Sequence, residues 1–174
     1  MTFLVEALTY ESALRKKMNF KRTIRILTQQ DQIDAGCFDV RSVVEVCRQA
    51  LMAYANGDVI FPDKTSVIFD EATQDRINCL PAGFKDKKIY GMKWVSVFPQ
   101  NPVVHGCPNL SAVILLSELT TGYPMAFIEG TMLSNLRTAA MSVLAARYLA
   151  RKDSVEIGFI GSGEQAKSHF LGMK

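Results

Sequence analysis

No stretch of the 174-residue chain is apolar for long enough to span a bilayer. The short run Phe3-Leu-Val-Glu-Ala-Leu8 is interrupted by Glu6 and has no basic residues before it, which argues against a signal peptide. Paired cysteines are also missing. Cys37, Cys47, Cys79 and Cys107 lie far apart and make no Cys-x-x-Cys, so neither a zinc site nor a disulfide framework is indicated, and reduced thiols in a cytoplasmic protein fit best. A net charge of +3 is too small to point to nucleic acid. The basic residues Arg15, Lys16, Lys17, Lys21, Arg22 and Arg25 fit either an interaction tail or a plain solvated face, and the lack of an aromatic platform or DNA-reading motif beside them favours the second. Internal repeats and low-complexity segments are absent.

What is present is the balance of a soluble globular chain, with 48% hydrophobic and 21% charged residues. Such a length suits one domain and part of a second. Residues 1–22 read as an N-terminal extension, with Met18 as an alternative start. A strand is expected over Thr23–Thr28. A helix follows, capped by Asp39, striped by Val43, Val46, Cys47, Ala50, Leu51 and Tyr54, and stopped at Asn56-Gly57. Between Phe61 and Thr121 short segments rich in Val, Ile and Phe alternate with turn residues, which predicts a sheet. Its strands are expected at Ser66–Asp70, Arg76–Leu80, Ile89–Phe98, Ala112–Glu118 and Pro124–Ile128, mostly antiparallel because the connections are short. Ser134–Ala150 has no internal Gly or Pro and predicts a helix. Ser154–Ile160 then reads as a buried parallel strand, and Gly161-Ser-Gly-Glu-Gln-Ala166 as the glycine turn opening a last helix.

That hexapeptide fits the G-x-G-x-x-G/A pattern, whose first glycine makes a tight turn and whose second lets backbone approach a pyrophosphate at a helix N-terminus. The acidic residue that would read the ribose falls beyond the chain, so NAD and NADP stand as equal expectations. Arg137 is expected in the first turn of its helix, where a cation opposes the helix dipole. It serves either a phosphate of the dinucleotide or a salt bridge to Glu129 or Glu118. Lys93 lies in the otherwise apolar Gly91-Met-Lys-Trp-Val-Ser-Val-Phe98, where an ammonium is costly unless paired or used. A substrate carboxylate and an outward-facing position on a two-sided strand both account for it. His105 reads as a loop histidine, and Cys107, with no base near it in sequence, does not read as a nucleophile.

Taken together, Gly91-Met-Lys-Trp-Val-Ser-Val-Phe-Pro-Gln-Asn101, Gly106-Cys-Pro, Ser111-Ala-Val, Thr121-Gly-Tyr-Pro-Met-Ala126, Ser134-Asn-Leu-Arg-Thr-Ala-Ala140 and Gly161-Ser-Gly-Glu-Gln165 resemble, in order and spacing, the ornithine cyclodeaminase and μ-crystallin family. The resemblance implies an α/β fold. An antiparallel or mixed sheet domain with helices over residues 23–133 would bind substrate and make a homodimer. Residues 134–174 would be a connecting helix and the start of a truncated Rossmann domain. It further implies that Lys93 contacts an amino-acid substrate. Arg137, Thr138 and the turn formed by Gly161, Ser162, Gly163, Glu164 and Gln165 would hold the phosphates of NAD or NADP, with Asn109 and Ser111 near the nicotinamide. The family's general acid/base, an aspartate of the Rossmann domain, would lie beyond Lys174. No metal, membrane or nucleic acid is implied.

Two departures bear on the substrate. Cyclodeaminases carry an arginine and an acidic residue where this chain has residues near Val67 and Asn78. The pattern looks more like the branch that oxidatively cleaves N-(2-amino-2-carboxyethyl)-glutamate to 2-oxoglutarate and 2,3-diaminopropionate for siderophore-type products. Ornithine cyclodeamination, and a non-catalytic crystallin-like role in which the chain only binds NADP or dimerises, are the alternatives.

Overall fold

The computed structural model describes residues 23–174. The expected N-terminal extension and all of the basic cluster except Arg25 lie outside the described residues. Strand β1 (Arg25–Leu27) leads into a short helix α1 (Gln29–Asp34), which begins at a reciprocal cap between Thr28 and Asp31. Helix α2 (Val40–Ala55) starts where Asp39 accepts from the backbone N–H groups of Arg41 and Ser42. Five strands and one short helix follow: β2 (Val59–Ile60), β3 (Thr65–Asp70), β4 (Asp75–Phe84), β5 (Ile89–Val97), α3 (Asn101–Val104) and β6 (Leu110–Glu118). Then come β7 (Pro124–Glu129), α4 (Thr131–Leu149) and α5 (Glu164–Met173).

The strands form one seven-stranded mixed sheet in the order β1-β7-β6-β5-β4-β2, with β3 also on β4. Among the described residues, only the β1–β7 pairing is parallel. Alternation sends Val95, Ala112, Ala126 and Ile128 to one face, where they are buried together with Met132, Leu136 and Ala139 of α4. Val44 of α2 joins Ala140, Val143 and Leu144 of α4 in a second cluster, to which Met173 of α5 adds. The opposite face, with Met92, Trp94, Val113, Leu115 and Phe127, carries no helix among the described residues and leaves Trp94 and Phe127 exposed.

The structure corrects several expectations. Ser154–Ile160 does not form a strand: Val155 is 93% exposed and Ile160 fully so, because no parallel neighbour is available to either edge among the described residues. Helix α4 begins three residues early, at Thr131, because tertiary bonds fix its start. Glu129 Oε1 accepts from Thr131 N at 2.8 Å, and Ala112 N donates to Thr131 Oγ1 at 3.1 Å. Arg137 is therefore in the second turn, clear of the helix-dipole conflict. Strand β4 runs through Pro81 instead of ending at Leu80. Pro81 falls between the part of β4 that pairs with β3, up to Cys79, and the part that pairs with β2, from Gly83, where a missing N–H breaks no ladder bond. The short elements α1, β2 and α3 are additions to the predicted set.

Candidate functional site

Strand β5 and helix α4 build the first recess. Lys93 stands opposite Leu80 on β4 and Ile114 on β6, on the helix-covered face of the sheet. Its half-buried Nζ donates to Ser134 Oγ at 2.9 Å. Arg137, one helical turn beyond Ser134, lines the same cavity of about 730 Å³, along with Cys37, Asp39, Cys47 and Phe61. The outward-facing alternative for Lys93 is thereby removed. Burial, and then the Arg137 guanidinium, push Lys93 down to about 8. Burial raises the Cys47 thiol, against a smaller opposing effect of Arg137.

Arg137 makes no ion pair or hydrogen bond among the described residues. Glu129 turns instead to Thr131 N, and Glu118 to Thr120 and Thr121. Among the described residues, Asp39 is the single carboxylate lining the recess. Its oxygens are engaged by Ser42 and the α2 amides, and the Ser42 hydroxyl is the main reason its carboxyl sits below the usual range. The recess is thus apolar-walled with two cations and one committed acid.

The second recess, about 690 Å³, lies where α5 meets α4 and the loop before β6. It gathers Asn109 with Gly163, Glu164 and Gln165, four of the residues predicted to hold the cofactor. Gly161 adopts φ +95°, a conformation that favours glycine, and Gly163 caps α5 with no side-chain bond to the first amides. Open space surrounds Gly163 where a Cβ would stand. An uncapped helix N-terminus with an open approach fits a dinucleotide phosphate, so the residues present suit that group.

Other predicted residues are placed differently. Thr138 Oγ1 donates to Ser134 O at 2.7 Å, inside its own helix. Ser111 is exposed opposite Ser96, on the sheet face away from α4 by alternation, and is not in the cleft lining. Ser162 is exposed beside the turn and also outside that lining. His105 ends α3 and Cys107 is exposed; neither lines either recess. Sequence reasoning passed over Ser134 and Asn135. Ser134 was visible in one respect: three residues before Arg137, it shares that residue's helix face.

Similarity to known proteins follows the same map. An N-((2S)-2-amino-2-carboxyethyl)-L-glutamate dehydrogenase of Staphylococcus aureus is 33% identical over 146 residues, 82% of this chain. A solved archaeal alanine dehydrogenase dimer with bound NAD matches 86% of the chain and 44% of its own, at 32% identity and TM-score 0.77. The Δ(1)-pyrroline-2-carboxylate reductase of Thermococcus litoralis, solved with NADH and L-proline, matches 86% of the chain and 45% of its own, at 33% identity and TM-score 0.79. The chain spans 41% and 44% of the length of the curated relatives it matches first. No helix among the described residues is long and apolar enough to cross a membrane. The family profile matches residues 24–174, and the chain belongs to the Ornithine cyclodeaminase/mu-crystallin family, whose members are NAD(P)-dependent dehydrogenases and cyclodeaminases.

Proposed function

We propose that this chain supplies the carboxylate-binding half of an NAD(P)-dependent enzyme that oxidises an N-substituted amino acid, with N-(2-amino-2-carboxyethyl)-glutamate as the substrate. The observation that carries this reading is that Lys93 and Arg137 share one recess with no acid paired to either among the described residues. Two such cations suit the carboxylate beside the reacting Cα, with Arg137 as a bidentate clamp and Lys93 as a point charge. This moves Arg137 from the cofactor phosphates to the substrate. A diamine such as ornithine finds no uncommitted carboxylate in that lining for its distal ammonium. At the place where cyclodeaminases carry an acid, Asn78 is buried and accepts from Ser66 Oγ at 2.7 Å.

A bound nicotinamide would supply the acceptor for the hydride lost from the glutamyl Cα. The nitrogen gives up a proton, a C=N bond forms, and water adds to that carbon. Breaking of the C–N bond then gives 2-oxoglutarate, 2,3-diaminopropionate, reduced nicotinamide and a proton. Holding the carboxylate orients Cα–H for that transfer and is the contribution assigned to Lys93 and Arg137. The Gly161–Gln165 turn and Asn109 hold the dinucleotide. Four unpaired cysteines fit a reducing compartment such as the cytoplasm. The uncovered apolar sheet face around Trp94 and Phe127 is assigned to a homodimer contact.

Reduction of NAD or NADP, followed by absorbance with N-(2-amino-2-carboxyethyl)-L-glutamate or L-ornithine, tests this. Turnover of the first alone, falling at least about tenfold in Lys93→Met, supports it. Ornithine as the preferred substrate refutes it, and loss of cofactor affinity with an unchanged substrate KM in Lys93→Met refutes the role of Lys93.

A further inference from the structure

We propose that Ser134 is the positioning residue of this site: its buried hydroxyl fixes the Lys93 ammonium in direction and in charge, and so sets how tightly the recess grips a carboxylate. The proposal rests on the carboxylate-binding reading of Lys93.

A lysine carries its charge on a flexible four-carbon stem and reaches a defined place only if something receives one of its three N–H groups. Ser134 Oγ does so at 2.9 Å and is the one hydrogen-bond acceptor Lys93 has among the described residues. The serine is 6% exposed. Its own frame is fixed at both ends, with Ser134 N donating to Gly130 O at 2.9 Å and Ser134 O accepting from Thr138 Oγ1 at 2.7 Å.

The start of α4 is in turn fastened to the sheet. Gly130 N donates to Ala112 O at 2.8 Å and Ala112 N to Thr131 Oγ1 at 3.1 Å. Ala112 pairs with Val95, two residues along β5 from Lys93 and on the same face. Lysine and hydroxyl therefore belong to one rigid frame, and the remaining two N–H groups of Lys93 meet no acceptor among the described residues.

The charged and titratable groups facing Lys93 are Arg137 from α4, Asp39 ahead of α2, and the Cys37 and Cys47 thiols. Arg137 disfavours the ammonium, and Asp39 is engaged by Ser42. A hydroxyl oxygen accepting from Nζ acts the other way and favours the charged form.

Competitive acetylation of the 174-residue protein with acetic anhydride across pH, read at Lys93 by peptide mass spectrometry, tests this without any ligand. Ser134→Ala suits helix propensity and should keep the fold, checked by circular dichroism. Its Lys93 midpoint should fall by about half a unit or more, and Ser134→Thr, which keeps the hydroxyl, should return it to the parent value. Pyruvate, used as a plain carboxylate probe, should bind Ser134→Ala about fivefold more weakly at neutral pH. An unmoved midpoint in folded Ser134→Ala, or equal shifts in the alanine and threonine variants, overturns the proposal. Undiminished pyruvate binding by Lys93→Met overturns the carboxylate reading, and with it the grip, while the titration still decides whether Ser134 positions Lys93.

Discussion

Gln165 Nε2 donates to Asn135 Oδ1 across 2.6 Å, so the helix that follows the glycine turn is tied to the one that presents Ser134 and Arg137. Ser142 Oγ and His169 Nε2 lie 2.8 Å apart further along the same two helices, and Phe159 meets Phe170 edge-on. Asn135→Ala should therefore change global stability by no more than about 0.5 kcal/mol, because the pair is exposed. Amide exchange in the first turn of α5 should become faster while the sheet is unaffected. Equal exchange in both proteins would show that Asn135 does not hold the turn.

The depressed Lys93 makes opposite predictions for binding and stability. Its folded value of about 8 lies below the ordinary lysine value of 10.5, burial being the larger cause and Arg137 the smaller. Below about 8 the side chain is charged in both folded and unfolded states. Between the two values the unfolded chain binds the extra proton, so the contribution of Lys93 to stability rises with pH across that window. Carboxylate affinity should fall over the same window as the ammonium is lost. Urea denaturation and pyruvate titration at a series of pH values check both signs, and Lys93→Met should flatten each response.

Arg137→Gln removes the cation beside Lys93, so the Lys93 midpoint should move up. Carboxylate affinity should nevertheless drop about tenfold or more, since a bidentate donor is lost. Dinucleotide affinity should change little. A larger loss for the dinucleotide than for pyruvate would return Arg137 to the phosphates.

Gly91 lies two residues before Lys93 on the same strand, and a Cβ there would stand 2.9 Å from the Leu115 carbonyl oxygen and 2.7 Å from Leu116 Cδ2. The carbonyl belongs to a paired strand and cannot swing away as a side-chain tip would. Gly91→Ala should cost about 1–3 kcal/mol of stability in urea melts and should also disturb Lys93.

On the face away from the helices, Trp94 is 41% and Phe127 43% exposed, and Met92, Val113 and Leu115 complete the patch. Trp94→Glu should give a folded monomer in sedimentation velocity where the parent protein sediments as a dimer. A parent that is monomeric at micromolar concentration would remove the dimer proposal.

Much of this was legible in the sequence because local signals and tertiary structure agree. Asp39 capped the helix it was expected to cap, and short segments rich in Val, Ile and Phe between turn residues marked β5, β6 and β7. Short connections also implied the antiparallel pairings that dominate the sheet. The start of α4 was not legible, because it depends on a bond from Ala112, 19 residues away. Nor was the continuation of β4 past Pro81, which is allowed by where two other strands stop. Lys93 and Arg137 were each singled out, yet with different ligands in mind. Their common recess follows from α4 packing against β6, beside β5, a relationship that no spacing of 44 residues announces.

The sheet's two ends have a consequence for how copies of the molecule meet. At one end stands β1, three residues long and paired to β7; at the other the two-residue β2 shares its rim with β3, six residues long and exposed throughout. The two rims are therefore unequal: β1 gives a neighbouring copy little backbone on which to extend the ladder, whereas β3 presents Val67, Ile68 and Phe69 along an edge paired on one side only among the described residues. Any thioflavin-positive polymer of this molecule should therefore grow through β3, whose amides should be the ones that gain protection from exchange.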